Sequence, residues 1–496
     1  MTTTLPERPG PLDAIENDRR PEPPGFLSAY PGYQSTALLD RLRASDYSYL
    51  DAGGHVYLDY TGAGLPAQAQ LDAHADRIGS GCFGNPHSQS PASAASTELV
   101  ERARLAVLAH FSAPPEEYVA IFTPNATGAC RLVGESYPFG PRTPLVLTWD
   151  NHNSVNGIRE FATSRGAVTR YVPFGSPELR VDDDAIRQAL ARPGRARRGR
   201  GGLLAYPAQS NFSGVQHPLA WIQTAHEHGY DVLLDAAAYV PSNRLDLSVV
   251  KPDFVAVSWY KVFGYPTGIG CLIARREALG RLRRPWFAGG SVYIAGVQAG
   301  WHTMAADEAR FEDGTVSFLQ IPDLETGLCW VDGIGIDRIH ERVTYLTGWL
   351  LARLAALCHG NGAPMARIYG PAGSRDRGGT VAFSLLDPGG GVVDERAVAR
   401  DTATAGISIR TGCFCNPGAA EGAFNLTKED WRRARRGSAR TMDQNLALLG
   451  LPGLALRASV GLASNVDDVE RFLAFVELTY RDRTVGTDGL GPRRGC

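Results

Sequence analysis

The chain has few cysteines, almost no net charge and no long apolar run. Its eight cysteines are scattered over 496 residues, which argues against a framework of disulfide bonds. The formal net charge of −2 provides no basic field for nucleic acid. No stretch approaches the roughly 20 apolar residues of a membrane-spanning helix, and the first residues lack the pattern of a secretory signal. We therefore expect a cytoplasmic protein with neither nucleic-acid nor membrane partners.

Length and composition are those of a globular protein with more than one folded unit. We expect residues 1–25, rich in proline and charge, to form a flexible arm, and residues 485–496 to form a loose tail. A large domain, with a lead-in segment, is predicted at 26–335 and a smaller α+β domain at 336–484. The basic run at 192–200 is interpreted as a solvated loop rather than a nucleic-acid patch.

Short apolar runs alternate with amphipathic segments between about residues 115 and 280. Several runs are apolar almost throughout, as in strands that are buried on both faces. The alternation predicts an α/β fold with a mainly parallel sheet and right-handed crossovers. The strands are predicted at 119–123, 145–149, 168–174, 203–206, 232–235, 254–258 and 271–274. The smaller domain is predicted from a helix at 338–358 and strands at 367–369, 380–386 and 407–410.

The clearest chemical motif is the segment 258–264 (SWYKVFG), which follows an apolar strand and enters a glycine-rich turn. A lysine at the end of a buried strand is partly desolvated. Desolvation lowers its pKa and makes the neutral amine available to form an imine. Taken alone, the motif is also compatible with a surface lysine in a loop.

Three further motifs follow predicted strands. Asp235 precedes three alanines, where a carboxylate can pair with a protonated pyridine nitrogen or can cap a helix. In the segment 123–128 (TPNATG), backbone amides and the Thr127 hydroxyl can bind a phosphate or serve only as a cap. His152 can stack on a ring or be an ordinary loop histidine. Ligands of open α/β sheets bind at the carboxyl ends of strands, so the coincidence of these motifs favours one site.

The order of these motifs resembles the class V aminotransferase superfamily of pyridoxal-phosphate (PLP) enzymes, which have PLP fold type I. More narrowly, several segments resemble the cysteine-desulfurase-like domain of molybdenum-cofactor sulfurases, and this resemblance spans about residues 50 to 470. The segments are 57–60 (YLDY), 84–88 (GNPHS), 258–264 (SWYKVFG), 310–315 (RFEDGT) and 410–416 (RTGCFCN).

The resemblance implies a role for each residue of a PLP site. Lys261 would hold the cofactor as a Schiff base, and Arg457 would bind the carboxylate of an amino-acid substrate. Arg410 would support the active-site loop beside the substrate. The other cofactor residues would be Asp235 at the pyridine nitrogen, His152 on the ring, Asn211 at the substrate-side edge, Ala126, Thr127, Ser258 and Tyr260 at the phosphate, and Ser291 at the phosphate of a second subunit, which implies a homodimer.

The resemblance places a nucleophilic thiol at Cys415, with Cys413 as a second candidate. The chemistry needs a thiolate on a mobile loop that can attack the substrate sulfur and carry a persulfide away. The glycines after Asn416 predict such a flexible loop. Lys261, His152 and Cys415 are thus the predicted catalytic residues. The C-x-C pair is weak evidence for a metal site, because no second Cys/His pair with ligand spacing accompanies it.

The resemblance implies a PLP-dependent cysteine desulfurase that converts L-cysteine to alanine and passes an enzyme persulfide to an acceptor protein or small molecule. Molybdenum-cofactor sulfurases continue into a second domain that handles the cofactor, so a stand-alone sulfur donor remains open beside the molybdenum role. One alternative is a PLP-dependent lyase, epimerase or transaminase that needs no thiol. Another is an inactive PLP-fold protein that serves as a binding partner.

Overall fold

The computed structural model describes residues 25–86, 88–191, 202–437, 441–487 and 489–493. Nearly all of the expected flexible arm and the basic run at 192–200 lie outside these residues. The strands are β1 Val56–Tyr57, β2 Tyr118–Thr123, β3 Leu145–Thr148, β4 Thr169–Val172, β5 Phe174–Gly175, β6 Arg180–Val181, β7 Gly202–Pro207, β8 Tyr230–Asp235, β9 Phe254–Ser258, β10 Gly270–Arg275, β11 Val292–Gly296, β12 Trp301–Met304, β13 Ala366–Tyr369, β14 Thr380–Leu385, β15 Ile407–Ser408, β16 Arg410–Gly412 and β17 Ala455–Ser459.

Helices connect and cover these strands, and two short 3-10 helices occur at Pro31–Thr36 and Glu308–Phe311. The α-helices are α1 Phe26–Ala29, α2 Leu38–Asp46, α3 Tyr49–Ala52, α4 Gln68–Ser80, α5 Pro91–His110, α6 Ala126–Ser136, α7 Asn153–Asn156, α8 Ile158–Ser164, α9 Asp183–Ala191, α10 Trp221–Glu227, α11 Trp259–Phe263, α12 Arg276–Leu279, α13 Asp323–Ile334, α14 Ile336–Ala356, α15 Glu395–Thr404, α16 Pro417–Ala423, α17 Lys428–Arg436, α18 Met442–Leu449 and α19 Val466–Tyr480.

A seven-stranded sheet with the order β2-β10-β9-β8-β7-β3-β4 forms the centre of the larger part. From β9 to β4 each strand is parallel to its neighbour. Both faces are covered: in β8, Val232 and Leu234 pack into one hydrophobic cluster and Leu233 into another. Burial on both faces explains why the sequence of these strands is apolar almost throughout. The prediction of a mainly parallel α/β sheet built from these strands is confirmed.

Strand β10 is antiparallel to both of its neighbours, β2 and β9. Parallel neighbours need a crossover of a dozen or more residues, whereas an antiparallel neighbour can follow a short connection. Only residues 259–269 separate β9 from β10, so the chain returns in the opposite direction. This connection contains α11 and therefore Lys261.

The smaller part is built on the antiparallel sheet β13-β14-β17-β16, whose strand β17 was not among the predicted strands. The lead-in segment joins this part, because β1 pairs in parallel with β15. The domain boundaries at 26–335 and 336–484 stay a prediction, although the lead-in strand lies on the smaller side.

The tail expected to be loose is anchored where Arg493 binds Asp394, Glu395 and Asp443. None of the described helices is both long and apolar enough to cross a membrane.

Candidate active site

A cleft with a cavity volume of about 130 Å³ opens at one edge of the large sheet. Strands β2, β3, β8 and β9 point in the same direction, so the residues that follow them meet at this edge. All the residues predicted to bind the cofactor line the cleft, except Ser291: Ala126, Thr127, His152, Asn211, Asp235, Ser258, Tyr260 and Lys261.

Lys261 lies in the short helix α11, which begins directly after β9. Burial lowers the pKa of its ammonium group. The negative charge of Asp235 opposes this shift, whereas the positive charges of Arg457 and Arg410 add to it. The lysine therefore loses its proton more readily than an exposed lysine does, and the neutral amine can react with a carbonyl group.

Asp235 and His152 face the cleft from the ends of neighbouring elements. Asp235 is the last residue of β8, and its buried carboxylate accepts the Ala237 amide at 3.0 Å. His152 precedes α7, and its Nδ1 accepts the Ser154 amide at 3.1 Å. Burial lowers the pKa of His152. The neutral imidazole is thus favoured, and it can lie against an aromatic ring without placing a positive charge there.

The N-terminus of α6 lies in the same cleft. The Ala126 amide donates to the Ser258 hydroxyl at 2.8 Å and thereby fastens this helix end to the end of β9. The Thr127 hydroxyl lies 2.6 Å from that of Ser154. The positive end of the helix dipole and the neighbouring hydroxyls form a site suited to a phosphate group.

Asp59 joins the two arginines predicted on the substrate side of the cleft. Arg410 and Arg457 lie opposite one another on β16 and β17. The Asp59 carboxylate accepts a hydrogen bond from Arg410 Nη2 at 2.6 Å and another from Arg457 Nη2 at 3.0 Å. In the sequence, Asp59 stands out only as a member of the family segment 57–60. Its partners are 351 and 398 residues away along the chain, so no local pattern could reveal the cluster.

Arg457 combines deep burial with an unused donor. Burial lowers the pKa of Arg457 to about 10, and Asp59 opposes the shift. Its Nη1 donates to the Asn211 carbonyl at 3.0 Å, and its guanidinium lies 4.8 Å from the centre of the Phe414 ring. Among the described residues, Arg457 Nε is one of the buried donors without a protein acceptor. A carboxylate of a bound amino acid is a suitable acceptor for a guanidinium.

The segment 413–416 lies against the turn that contains His152. The Asn153 amide donates to the Cys415 carbonyl at 2.7 Å, and Asn211 Nδ2 donates to the Phe414 carbonyl at 2.8 Å. Cys415 is a half-buried free thiol, whereas Cys413 is disulfide-bonded. Cys413 was the second candidate for the nucleophile, and of the two residues only Cys415 has a thiol that can react.

The glycine-rich segment after Cys415 forms helix α16 rather than the flexible loop that was predicted. Asn416 is fully buried, and its side chain caps the helix by accepting the Ala419 amide at 3.1 Å. A Cβ atom on Gly418 would lie 2.1 Å from the carbonyl oxygen of Trp149. Glycine at this position therefore permits close packing rather than motion. The packed helix holds residues 413–416, the thiol segment, in place.

Ser291 does not lie in the cleft. It is fully buried, and its hydroxyl lies 2.8 Å from both the amide nitrogen and the carbonyl oxygen of Ala288. Its hydroxyl is thus already bonded within its own chain. The prediction that Ser291 reaches the phosphate of a second subunit stays a prediction.

The motif at 310–315 supports, from behind, the end of the cleft at which α6 begins. Its buried Glu312 accepts hydrogen bonds from Arg104 Nη1 at 2.8 Å and from the Phe122 amide at 2.8 Å. Phe122 belongs to β2, the strand that leads to α6. The motif therefore holds in place the strand from which the helix N-terminus projects.

A match to a protein-family model shows the class of protein to which the chain belongs. A family model described as aminotransferase class-V matches residues 56–472. The chain belongs to this family, and it is accordingly a PLP-dependent enzyme, as predicted.

Individual proteins are similar to this chain over most of its length. The molybdenum cofactor sulfurase of Solanum lycopersicum is 34% identical over 508 residues, which cover 97% of this chain and 62% of that protein. The human molybdenum cofactor sulfurase is 35% identical over 461 residues, which cover 88% of this chain and 51% of that protein. The chain thus spans between half and two thirds of the length of these two relatives.

A solved structure confirms the fold. The apo cysteine desulfurase of Thermococcus onnurineus NA1 superimposes with a TM-score of 0.71 and 23% identity, covering 89% of this chain and 97% of that chain. The prediction of PLP fold type I is confirmed. At this level of identity the likeness concerns the fold alone.

The residues of the cleft fit PLP. Lys261 supplies an amine with a lowered pKa, and the start of α6 with Thr127 would hold the phosphate. Asp235 would face the pyridine nitrogen, and His152 would lie against the ring. When bound, PLP stabilises negative charge on the α-carbon of an amino acid.

We expect Gly418→Ala to displace α16 and the thiol segment, because the new Cβ would overlap the Trp149 carbonyl. Overpacking of this kind costs about 1–3 kcal/mol. Denaturant unfolding should show this loss, and alkylation of Cys415 should change in rate. The control is Gly79→Ala in α4, where a Cβ meets nothing within 4 Å. Equal stability of the two variants would contradict the close packing of α16.

Proposed function

We propose that the protein removes the sulfur of L-cysteine, releasing alanine and leaving a persulfide on Cys415. The observation that carries this proposal is the place of the free thiol. Cys415 is hydrogen-bonded through its carbonyl to Asn153, next to His152, and its neighbour Phe414 is hydrogen-bonded to Asn211 in the cleft wall. The similarity to molybdenum cofactor sulfurases supports sulfur transfer as the reaction class.

The substrate would be held by its charged groups. Its carboxylate would accept hydrogen bonds from Arg457. The buried Nε of Arg457 has no acceptor among the described residues and can donate to it. Lys261, with its lowered pKa, would take the proton from the α-carbon and later return it. Asp235 would keep the pyridine nitrogen protonated, because a buried carboxylate favours a positive partner.

The sulfur step would be a displacement at the substrate sulfur. The Cys415 thiolate forms the new S–S bond, and the bond between the substrate sulfur and its β-carbon breaks. The electron pair of that bond stays with the carbon, which takes up a proton and leaves as part of alanine. One cysteine and one enzyme thiol thus give one alanine and one enzyme persulfide, with no external oxidant. The candidates for the sulfur acceptor are the molybdenum cofactor and an acceptor protein.

Replacing Cys415 by Ala tests the proposed nucleophile. The wild-type enzyme should release alanine from L-cysteine and carry a persulfide. The variant should release alanine at least about 100-fold more slowly, because no thiol attacks the sulfur. The visible absorbance of bound PLP should be unchanged. Cys358→Ala, which removes an exposed free thiol elsewhere, is the control.

Two outcomes would count against this assignment. Alanine release by Cys415→Ala at the wild-type rate would remove Cys415 from the reaction. A wild-type enzyme that binds PLP but releases no alanine would instead point to a lyase, epimerase or transaminase acting on another amino acid.

Asp59→Asn tests the arginine cluster. Without the carboxylate, Arg457 loses a charged hydrogen-bond partner that orients it, so the KM for L-cysteine should rise about tenfold with little change in kcat. Asp337→Asn is the control, because its ion pair with Arg244 is exposed. An unchanged or lower KM would show that Asp59 does not orient Arg457 for the substrate.

We further propose that the protein is a homodimer, as expected from the family resemblance. The hairpin β11–β12 supports this, since Tyr293, Val297 and Trp301 expose large apolar surfaces that a second copy could cover. Light scattering should give twice the chain mass, and Trp301→Glu should shift it towards one chain. Leu478→Glu, at an exposed site on α19, is the control. A monomeric wild type would contradict the proposal. The cytoplasmic location also remains a prediction.

A further inference from the structure

A buried histidine–aspartate pair lies behind the cleft and takes no part in the chemistry above. His217 Nε2 and Asp150 Oδ2 are 2.7 Å apart, and their side chains are only 2% and 1% exposed. The other Asp150 oxygen, Oδ1, is buried without a protein partner in the described part of the chain. The carboxylate therefore depends on His217, because a buried charge without a partner is costly.

Asp150 stands at the start of the turn that meets the thiol segment. Its carbonyl accepts Asn416 Nδ2 at 2.7 Å. Three residues later, the Asn153 amide donates to the Cys415 carbonyl at 2.7 Å. Trp149, the residue before Asp150, packs its carbonyl against Gly418 of α16. A shift of Asp150 would therefore move the surface on which Cys415 rests.

His217 ends the loop that holds the thiol segment from the other side. Its amide donates to the Ala208 carbonyl at 3.0 Å, and its ring stacks on Trp221 with the centres 5.0 Å apart. Within this loop, Asn211 donates to the Phe414 carbonyl at 2.8 Å and accepts from Asn416 Nδ2 at 2.9 Å. The turn that begins at Asp150 and the loop that ends at His217 both bind the thiol segment. The hydrogen bond between His217 and Asp150 joins this turn to this loop.

The backbone conformation of the thiol segment explains why these contacts are needed. Phe414 and Cys415 have φ angles of 55° and 53°, the left-handed region that residues other than glycine disfavour. Both carbonyls are held by the contacts just described. Strained conformations of this kind persist only where the surroundings over-determine them, and they cluster at functional sites.

We propose that His217 and Asp150 are positioning residues for the Cys415 thiol. The pair locks the 149–154 turn to the 208–217 loop, and together these hold Cys415 in its left-handed conformation at the cleft. The catalytic meaning of this role rests on the proposed function of Cys415. The positioning itself concerns the resting enzyme and needs no substrate.

The test compares His217→Ala, His217→Gln and a matched control in the PLP-loaded enzyme. His226→Ala removes a histidine–aspartate hydrogen bond of similar length, His226 to Asp253 at 2.9 Å, on α10 away from the thiol. The readouts are kcat and KM for alanine release, alkylation of Cys415 by iodoacetamide without substrate, PLP absorbance and thermal unfolding.

In His217→Ala we expect kcat to fall about tenfold, because small misplacements of a reacting group are costly. KM should stay within about twofold, since Arg457 and Asp59 are retained. Alkylation of Cys415 should become about threefold faster or more as the released segment exposes the thiol. His217→Gln keeps an N–H donor and should recover most of the difference, and His226→Ala should match the wild type.

Unchanged alkylation in His217→Ala would overturn the proposal, whatever the activity. So would a loss of kcat matched by an equal loss of PLP absorbance, since that would mark general damage to the site. If His217→Ala does not fold, Asp150→Asn decides by the same alkylation measurement. If the wild type releases no alanine, the proposed function fails, while the alkylation comparison still decides the positioning role.

Discussion

The balance of charge in the cleft is the constraint on which the rest of the structure depends. Lys261, Arg457 and Arg410 bring three basic groups into or beside a partly buried space, and Asp235 and Asp59 oppose them. Isolated buried charges are costly, so each of these groups needs its partner at a fixed place. The chain meets this need with residues from strands of both sheets and from the lead-in segment.

This balance explains why the two parts of the chain meet where they do. Asp235 ends one parallel strand of the large sheet and Lys261 follows the next, whereas Arg410 and Arg457 are cross-strand neighbours in the smaller sheet. The lead-in segment brings Asp59 between them through the pairing of β1 with β15 and the bridge from Asp59 to Ser459. The residues predicted to bind the cofactor and the arginines predicted to lie beside the substrate are therefore supplied by different sheets.

The thiol of Cys415, which we propose as the nucleophile, is held rather than loose. Cys415 adopts a disfavoured backbone conformation, and Asn153, Asn211 and Asn416 secure the segment through hydrogen bonds. Helix α16 packs directly behind it, with glycine at 418 because no Cβ fits against Trp149. For the proposed attack of this thiol on one sulfur atom, the fixed placement is favourable, since orientation contributes strongly to rate.

The sequence by itself determined the strands of the large sheet and the residues at their ends. Continuous apolar runs mark strands buried on both faces, and Thr127, His152, Asp235 and Lys261 each follow such a run. Their convergence could be expected because parallel strands end at one edge. The tertiary structure alone decided the direction of β10, the helix after Cys415, the link of Asp59 to two arginines and the His217–Asp150 pair. These features depend on packing and hydrogen bonds between segments far apart in the chain, for which local patterns of polarity carry no signal.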